Sequence, residues 1–263
     1  MTFACSRKTI RPFEVTNKVY TTQVKSYADT LKQLPTWVPN DSLSLPSEPV
    51  LTTNFNMRKP NFVIIHHTAQ DSCAQTLRTF TLPRTKVSAH YVICKDGTVH
   101  HMLSDYLRAW HAGISKWGNV TDINSASIGI ELDNYGLQPF DSAQINSLLS
   151  LLTTLKSSYG IPAANFIGHG DIAPKRKNDP SKFFPWKKLA DNGFGLWYDE
   201  APLLPEPDST FNPILALRII GYDVKDTSYA IQAFKRHFTQ DNGKQLTDWD
   251  KRILQNLYPK YMQ

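Results

Sequence analysis

Asn61-Phe62-Val63-Ile64-Ile65-His66-His67-Thr68 begins with β-branched and aromatic residues, in a run too short for a helix, and ends in two imidazoles. A continuous apolar stretch of this length reads as a strand buried on both faces, of the kind found inside a parallel or mixed sheet. Side chains alternate along a strand, so His66 and His67 point to opposite faces and at most one joins a given site by simple geometry.

A second strand is expected in Ser127-Ile128-Gly129-Ile130-Glu131-Leu132-Asp133. Its alternation sends Ile128, Ile130 and Leu132 one way and Gly129, Glu131 and Asp133 the other, which places a carboxylate opposite a core-facing set. Between these strands, residues 71–80 read as a short helix. Ser88 to Cys94 and Thr98 to Leu103 flank Lys95-Asp96-Gly97, and an Asp-Gly pair between strand-like runs signals a hairpin because the turn needs positive φ. Ala109-Trp110-His111-Ala112-Gly113 follows as a loop or strand end. Residues 141–159 carry Ile145, Leu148, Leu149, Leu152 and Leu155 at helical spacing, with Asp141 as N-cap and Gly160 as stop.

The helix leads through Phe166-Ile167 into Gly168-His169-Gly170-Asp171-Ile172-Ala173-Pro174-Lys175-Arg176-Lys177-Asn178-Asp179-Pro180. This stretch has little helical pattern and gathers an imidazole, carboxylates and cations, which suits a site loop. Pro174 and Pro180 supply rigid corners at which it can double back and bring Asp179 to His169. Two ligands from one loop need a third, because a catalytic zinc takes three protein ligands and leaves one position open. His66, His169 and Asp179 form a nitrogen and oxygen set that suits Zn²⁺, with Glu131 beside it.

Past the loop, residues 186–189 form a helical turn, and Pro202, Pro205 and Pro207 among acidic residues mark a linker. Residues 213–220, 228–238 and 247–258 each repeat apolar side chains at helical spacing, which gives a compact three-helix bundle. The N-terminal residues are broken by Pro35, Pro39, Pro46 and Pro49. The expected organisation is an irregular arm over 1–56 packed on the catalytic domain, a catalytic domain over 57–200, a linker over 201–212 and a three-helix domain over 213–263. The fold class is α/β, a mixed central β-sheet flanked by helices, with a small C-terminal helical domain.

A hydrophobic content of 41% and a charged content of 20% describe an ordinary globular chain with enough apolar side chains for a core. No apolar stretch is long enough to span a bilayer, so an integral membrane protein is not expected. The formal net charge of +6 favours polyanionic partners, including acidic cell-wall polymers. The cations are scattered and no nucleic-acid module is visible, so nucleic acid is not expected as a partner. The three cysteines, Cys5, Cys73 and Cys94, lack metal-like spacing. Cys73 and Cys94 either pair or are both buried thiols. Cys5 follows a small residue near the start, similar to the end of a bacterial lipoprotein signal.

Four separated motifs occur in order: His66-His67-Thr68-Ala69, Ala109 to Gly113, Ser127 to Glu131, and His169 through Asp179-Pro180. Together, over about residues 61–197, the chain resembles zinc-dependent N-acetylmuramoyl-L-alanine amidases of the type 2 family. It looks closest to periplasmic, lipoprotein-like members with an added C-terminal helical module. The resemblance implies a zinc hydrolase of cell wall degradation that cuts the amide between N-acetylmuramic acid and L-alanine in peptidoglycan or muropeptides. It assigns the metal ligands to His66, His169 and Asp179, water activation to Glu131 and oxyanion stabilisation to Lys177. Trp110 and His111 are then expected to line the glycan cleft. The segments Ile219-Ile220-Gly221-Tyr222 and Ala230 to Phe234 are similar to a peptidoglycan-binding helical domain. The implied setting is the bacterial periplasm, with a monomeric enzyme held to the outer membrane by a lipid on Cys5 if the chain is a trimmed lipoprotein. Two alternatives stand beside this reading: a non-catalytic peptidoglycan receptor of the same fold, and another zinc hydrolase acting on wall peptides.

Overall fold

The computed structural model describes residues 12–33, 52–200 and 204–263. Cys5, the four prolines between 35 and 49, and Pro202 lie outside the described residues. The chain divides into two compact units, Met1–Met57 and Arg58–Gln263.

In the first unit, α1 (Glu14–Leu31) replaces much of the irregular arm expected from the sequence. Tyr20, Val24, Tyr27 and Leu31 recur at helical spacing, but the interspersed valines and threonines weaken helix propensity and hide that repeat. Lys18 and Glu14 pair at 3.0 Å within it, an exposed contact that adds little stability.

The second unit runs β1 (Phe62–His67), α2 (Cys73–Thr81), β2 (Tyr91–Ile93), β3 (Val99–His101), α3 (Ile123–Ala126), β4 (Ser127–Leu132), α4 (Ser142–Tyr159), β5 (Phe166–Gly168), α5 (His169–Ile172), α6 (Trp186–Asp191), α7 (Pro213–Ile220), α8 (Thr227–Phe238) and α9 (Asp248–Leu257). These elements build a five-stranded sheet in the order β3-β2-β4-β1-β5. β1 is parallel to both β4 and β5, β2 is parallel to β4, and β3 returns antiparallel to β2. The mixed sheet is the one expected, and its apolar strands are interior because helices cover both faces.

On one face Val63, Ile65, Ile128 and Ile130 pack with Leu148 and Leu152 of α4 and with Phe184 and Trp186. α4 ends where Gly160 takes a left-handed conformation at φ 61. On the other face Phe62, Ile64 and Ile167 share a core with Leu217, Phe234 and Ile253 of the C-terminal helices. The three C-terminal helices expected from the sequence are present, and they dock on the sheet. The apolar stripes of α7, α8 and α9 are buried partly against the sheet, so residues 58–263 form one unit. The segment expected as a linker is also tied down: Leu204 is 3% exposed, and the Asp208 N–H donates to Gln255 Oε1 at 2.9 Å.

The hairpin forms at Lys95-Asp96-Gly97, with Gly97 at φ 89 and the Cys94 N–H donating to the Thr98 carbonyl at 2.9 Å. Of the two states open to the cysteine pair, the structure has the disulfide Cys73–Cys94, which ties the start of α2 to the end of β2.

Candidate metal centre

Parallel pairing sets His66 beside Glu131 in register. Both side chains therefore leave the sheet on the same face, at the carboxyl ends of β1 and β4, where open α/β sheets present their sites. His66 is 1% exposed. β5 ends at Gly168, and His169 opens α5 directly after it. The one-turn helix was not expected in this loop; it forms because the buried Asp171 carboxylate accepts the Gly168 N–H at 2.8 Å, satisfying a donor at the helix start. The loop then returns, and the Asp179 carbonyl accepts the Gly170 N–H.

Three atoms converge at the end of this folding. His66 Nδ1 lies 2.9 Å from His169 Nδ1 and 3.1 Å from Asp179 Oδ2, and His169 Nδ1 lies 3.0 Å from the same oxygen. Two ring nitrogens and a carboxylate facing one another are three acceptors unless something positive lies between them. A proton joins them two at a time, whereas a divalent cation satisfies all three. The far side of the His169 ring supports this: its Nε2 is 3.1 Å from the Ala112 carbonyl, which can only accept, and 3.4 Å from the Arg176 guanidinium, which is engaged by the same carbonyl at 2.7 Å; the closer contact places the hydrogen on Nε2 and leaves Nδ1 as a lone pair. The donor set thus fits Zn²⁺.

Electrostatics point the same way. Burial, with the neighbouring His169, pulls the His66 imidazole down to about 4, so at neutral pH it has the uncharged form that a metal needs. Burial alone would raise the Asp179 carboxyl, but charge and hydrogen bonding from His169, and from His66, hold it well below its usual range.

Glu131 Oε1 is 3.9 Å from His66 Nδ1, and Oε2 is buried with no hydrogen-bond partner among the described residues. Burial, and then the charge of Asp179, push its carboxyl up to about 8 against the opposing pull of Lys177. The Lys177 charge is therefore felt at Glu131. His67 faces the other way, as alternation requires, and its Nδ1 accepts the Ser181 N–H at 3.1 Å.

Trp110 is 54% exposed, but His111 is 8% exposed and lies behind His66, with its Nδ1 3.0 Å from His66 Nε2. This corrects the expectation that His111 lines the cleft, because a ring packed beneath a buried ring has no face left for a glycan. Its backbone is fixed by Asn124, whose Oδ1 accepts the N–H groups of His111 and Ala112 at 3.1 and 2.9 Å. One loop thus supports both histidines of the candidate site.

The C-terminal helices reach the site loop through Asp171. Besides the Gly168 N–H, its carboxylate accepts from Tyr222 Oη at 3.0 Å and is bonded to His237 Nδ1 at 2.8 Å. Trp186 stacks on the His237 ring with centroids 3.9 Å apart. The sequence alone singles out none of His237, Asn124, Ser127 and Asp171. No local spacing marks a contact such as Asp171 to His237, which spans 66 residues.

Residues 56–182 match the family N-acetylmuramoyl-L-alanine amidase. The chain is 34% identical over 235 residues to the N-acetylmuramoyl-L-alanine amidase AmiD of Escherichia coli, covering 76% of this chain and 83% of the relative. It is 40% identical over 104 residues to the 1,6-anhydro-N-acetylmuramyl-L-alanine amidase AmpD of Haemophilus influenzae, and there the match covers 39% of this chain and 56% of AmpD. The solved complex of AmiD with anhydro-N-acetylmuramic acid-L-Ala-D-γ-Glu-L-Lys aligns with TM-score 0.70 and 30% identity over 85% of this chain and 97% of that one. AmpDH3 of Pseudomonas aeruginosa in complex with anhydromuramic pentapeptide aligns with TM-score 0.69 and 29% identity, over 83% and 99%. With 34% identity to AmiD over 83% of that relative, and the family match over residues 56–182, the chain belongs to the N-acetylmuramoyl-L-alanine amidase family.

Proposed function

We propose that the chain hydrolyses the amide between the lactyl group of N-acetylmuramic acid and L-alanine, in peptidoglycan or its muropeptides, with a zinc ion held by His66, His169 and Asp179. One observation carries the reading: three acceptor atoms about 3 Å apart converge beside a buried glutamate oxygen that has no hydrogen-bond partner among the described residues. Zinc bound there would polarise a carbonyl and lower the pKa of water to about 7. Glu131 takes the proton from the attacking water and passes it to the leaving amine of L-alanine. Burial raises the Glu131 carboxyl in the metal-free protein, and a zinc ion beside it would lower it again, toward the neutral range in which one carboxyl can both take and return a proton. Lys177 offsets the charge that grows on the carbonyl oxygen, a role worth roughly 3 kcal/mol for one such donor.

The muropeptide complexes of AmiD and AmpDH3 support the same substrate class for this chain. Trp110 remains the proposed glycan contact. The C-terminal helices, over the expected 213–263, help to hold the wall polymer: a cleft of about 560 Å³ between the site loop and α8 is lined by Lys175, Lys177, Lys182, Tyr229 and Arg236. The Cys73–Cys94 disulfide suits an oxidising compartment, which favours the periplasm. Outer-membrane anchoring through a lipid on Cys5, and a monomeric state, belong to the same proposal.

Metal analysis of the purified protein alongside muropeptide digestion tests the reading. Zinc is expected at one ion per chain, with activity lost on chelation and restored by zinc, and with products that carry a free L-alanine amino terminus. Cleavage elsewhere in the stem would make the chain a wall peptidase, and zinc binding without cleavage would make it a receptor. Glu131→Ala is expected to keep zinc and lose about 10²–10⁴-fold in turnover. Full turnover in that variant would remove Glu131 from the mechanism.

A further inference from the structure

We propose that His111 is a positioning residue that decides which nitrogen of His66 is free to take a metal ion, through a one-way chain of hydrogen bonds ending on a main-chain carbonyl. The inference rests on the reading of His66 as a ligand. Its starting point is the Ile123 carbonyl, which can only accept. Ser127 Oγ lies 2.6 Å from that oxygen and 3.1 Å from His111 Nε2. The hydroxyl has a single hydrogen, and at the shorter contact two bare oxygens would repel, so the hydrogen goes to Ile123. Ser127 is then the acceptor toward His111, and His111 Nε2 must carry the hydrogen between them. A neutral imidazole has one N–H, so His111 Nδ1 is a lone pair. It faces His66 Nε2 at 3.0 Å, which must therefore be the donor. His66 Nδ1 is left bare, turned toward His169 Nδ1 and Asp179.

The surroundings hold this arrangement in place. Asn124 fixes the backbone of the His111 loop. The ring occupies a notch that exists because residue 129 is glycine: a Cβ there would fall 2.4 Å from the ring's Cγ. His90, the next imidazole, does not compete for the same hydrogen. Its Nε2 donates to the Leu107 carbonyl at 3.0 Å and its Nδ1 accepts the Gly129 N–H at 3.0 Å. Reversing the chain would place a hydrogen on His66 Nδ1, pointed at a second ring nitrogen 2.9 Å away, and would close the site to a cation.

Long-range proton–nitrogen NMR of the labelled, metal-free full chain reads the tautomers directly. His66 and His111 are both expected to carry a hydrogen on Nε2; a bare Nε2 on His66 would overturn the inference whatever the metal does. Zinc affinity by chelator competition gives a second readout. His111→Leu keeps the bulk and removes the acceptor, and is expected to bind zinc about 10–100-fold more weakly, the usual cost of losing a group that orients a ligand. His111→Asn can return an oxygen to the Nδ1 position and is expected to recover most of that loss. Equal weakening in both variants would mean that ring packing matters rather than the acceptor, and wild-type affinity in His111→Leu would mean that neither does; each outcome overturns the proposal. Absence of zinc binding by the wild-type chain would instead sink the metal reading and leave the tautomer measurement standing. If His111→Leu fails to fold, the wild-type spectrum alone decides.

Discussion

Glu131 carries a penalty that its fold position imposes. Its carboxyl rises from 4.5 to about 8 because burial, and next the charge of Asp179, disfavour the anion. In the metal-free protein the folded state therefore holds a proton that the unfolded chain releases. The stability linked to that proton is fully present below about pH 4.5 and is lost as pH rises through about 8. Glu131→Gln is accordingly expected to stabilise the metal-free protein at pH 9, by on the order of 3–5 kcal/mol, and to change little at pH 4.5. Urea unfolding in chelator at the two values checks this, and a difference independent of pH would contradict it. At this scale the sequence showed a great deal. Alternation in Ser127 to Asp133 was enough to turn Glu131 away from the isoleucines, and two prolines were enough to suggest that Asp179 returns to His169. It could not show that His111 lies beneath His66. Exposure depends on which rings stack in space, and a histidine next to an exposed tryptophan has no local signature of being buried.

Elements were legible where periodicity was strong. The buried run of β1, the hairpin at Asp96-Gly97 and the leucine stripe of α4 each follow from spacing that one or two residue types impose. α1 was missed because its repeat is built from residues that favour strands, and α5 because one turn of helix depends on Asp171 reaching back to Gly168 rather than on any pattern. The disulfide is an element-scale feature with its own test. It closes a loop across a sequence separation of 21, so its reduction is expected to lower stability by about 2–4 kcal/mol. The ion held by His66, His169 and Asp179 should stay bound, because no cysteine is among the proposed ligands; any extra zinc in the reduced sample would belong to the freed Cys73 and Cys94 thiols, which lie beside His100. Unfolding curves with and without reductant, with metal analysis on both samples, would show it. An unchanged midpoint would mean that the crosslink constrains nothing that the rest of the fold does not already hold.

For the molecule as a whole, the sequence suggested a catalytic part and an appended helical part, since prolines and acids separate them. Packing docks the one on the other. Phe62 and Ile64 of the sheet share a core with Leu217, Phe234 and Ile253, and Asp171 is bonded to both Tyr222 and His237. Such a merger is invisible to composition, because an amphipathic helix looks the same whether its stripe meets another helix or a sheet. Asp171→Asn is expected to destabilise the protein by about 3–5 kcal/mol, the range for breaking a buried charged hydrogen-bond partnership. It should also weaken zinc binding, although Asp171 is not a proposed ligand. Thermal unfolding and chelator competition on the same variant would separate the two effects, and native zinc affinity would show that the site loop stands without this anchor.

The Asp171 bond to His237 has a consequence for how the molecule is made. A growing polypeptide contains every proposed zinc ligand once Asp179 has been synthesised, yet the carboxylate that moors their loop meets its last partner only after a further stretch of chain has emerged. Until then the loop is unfinished, and a protease that clipped off the final helices would disarm the chemistry as well as remove a surface.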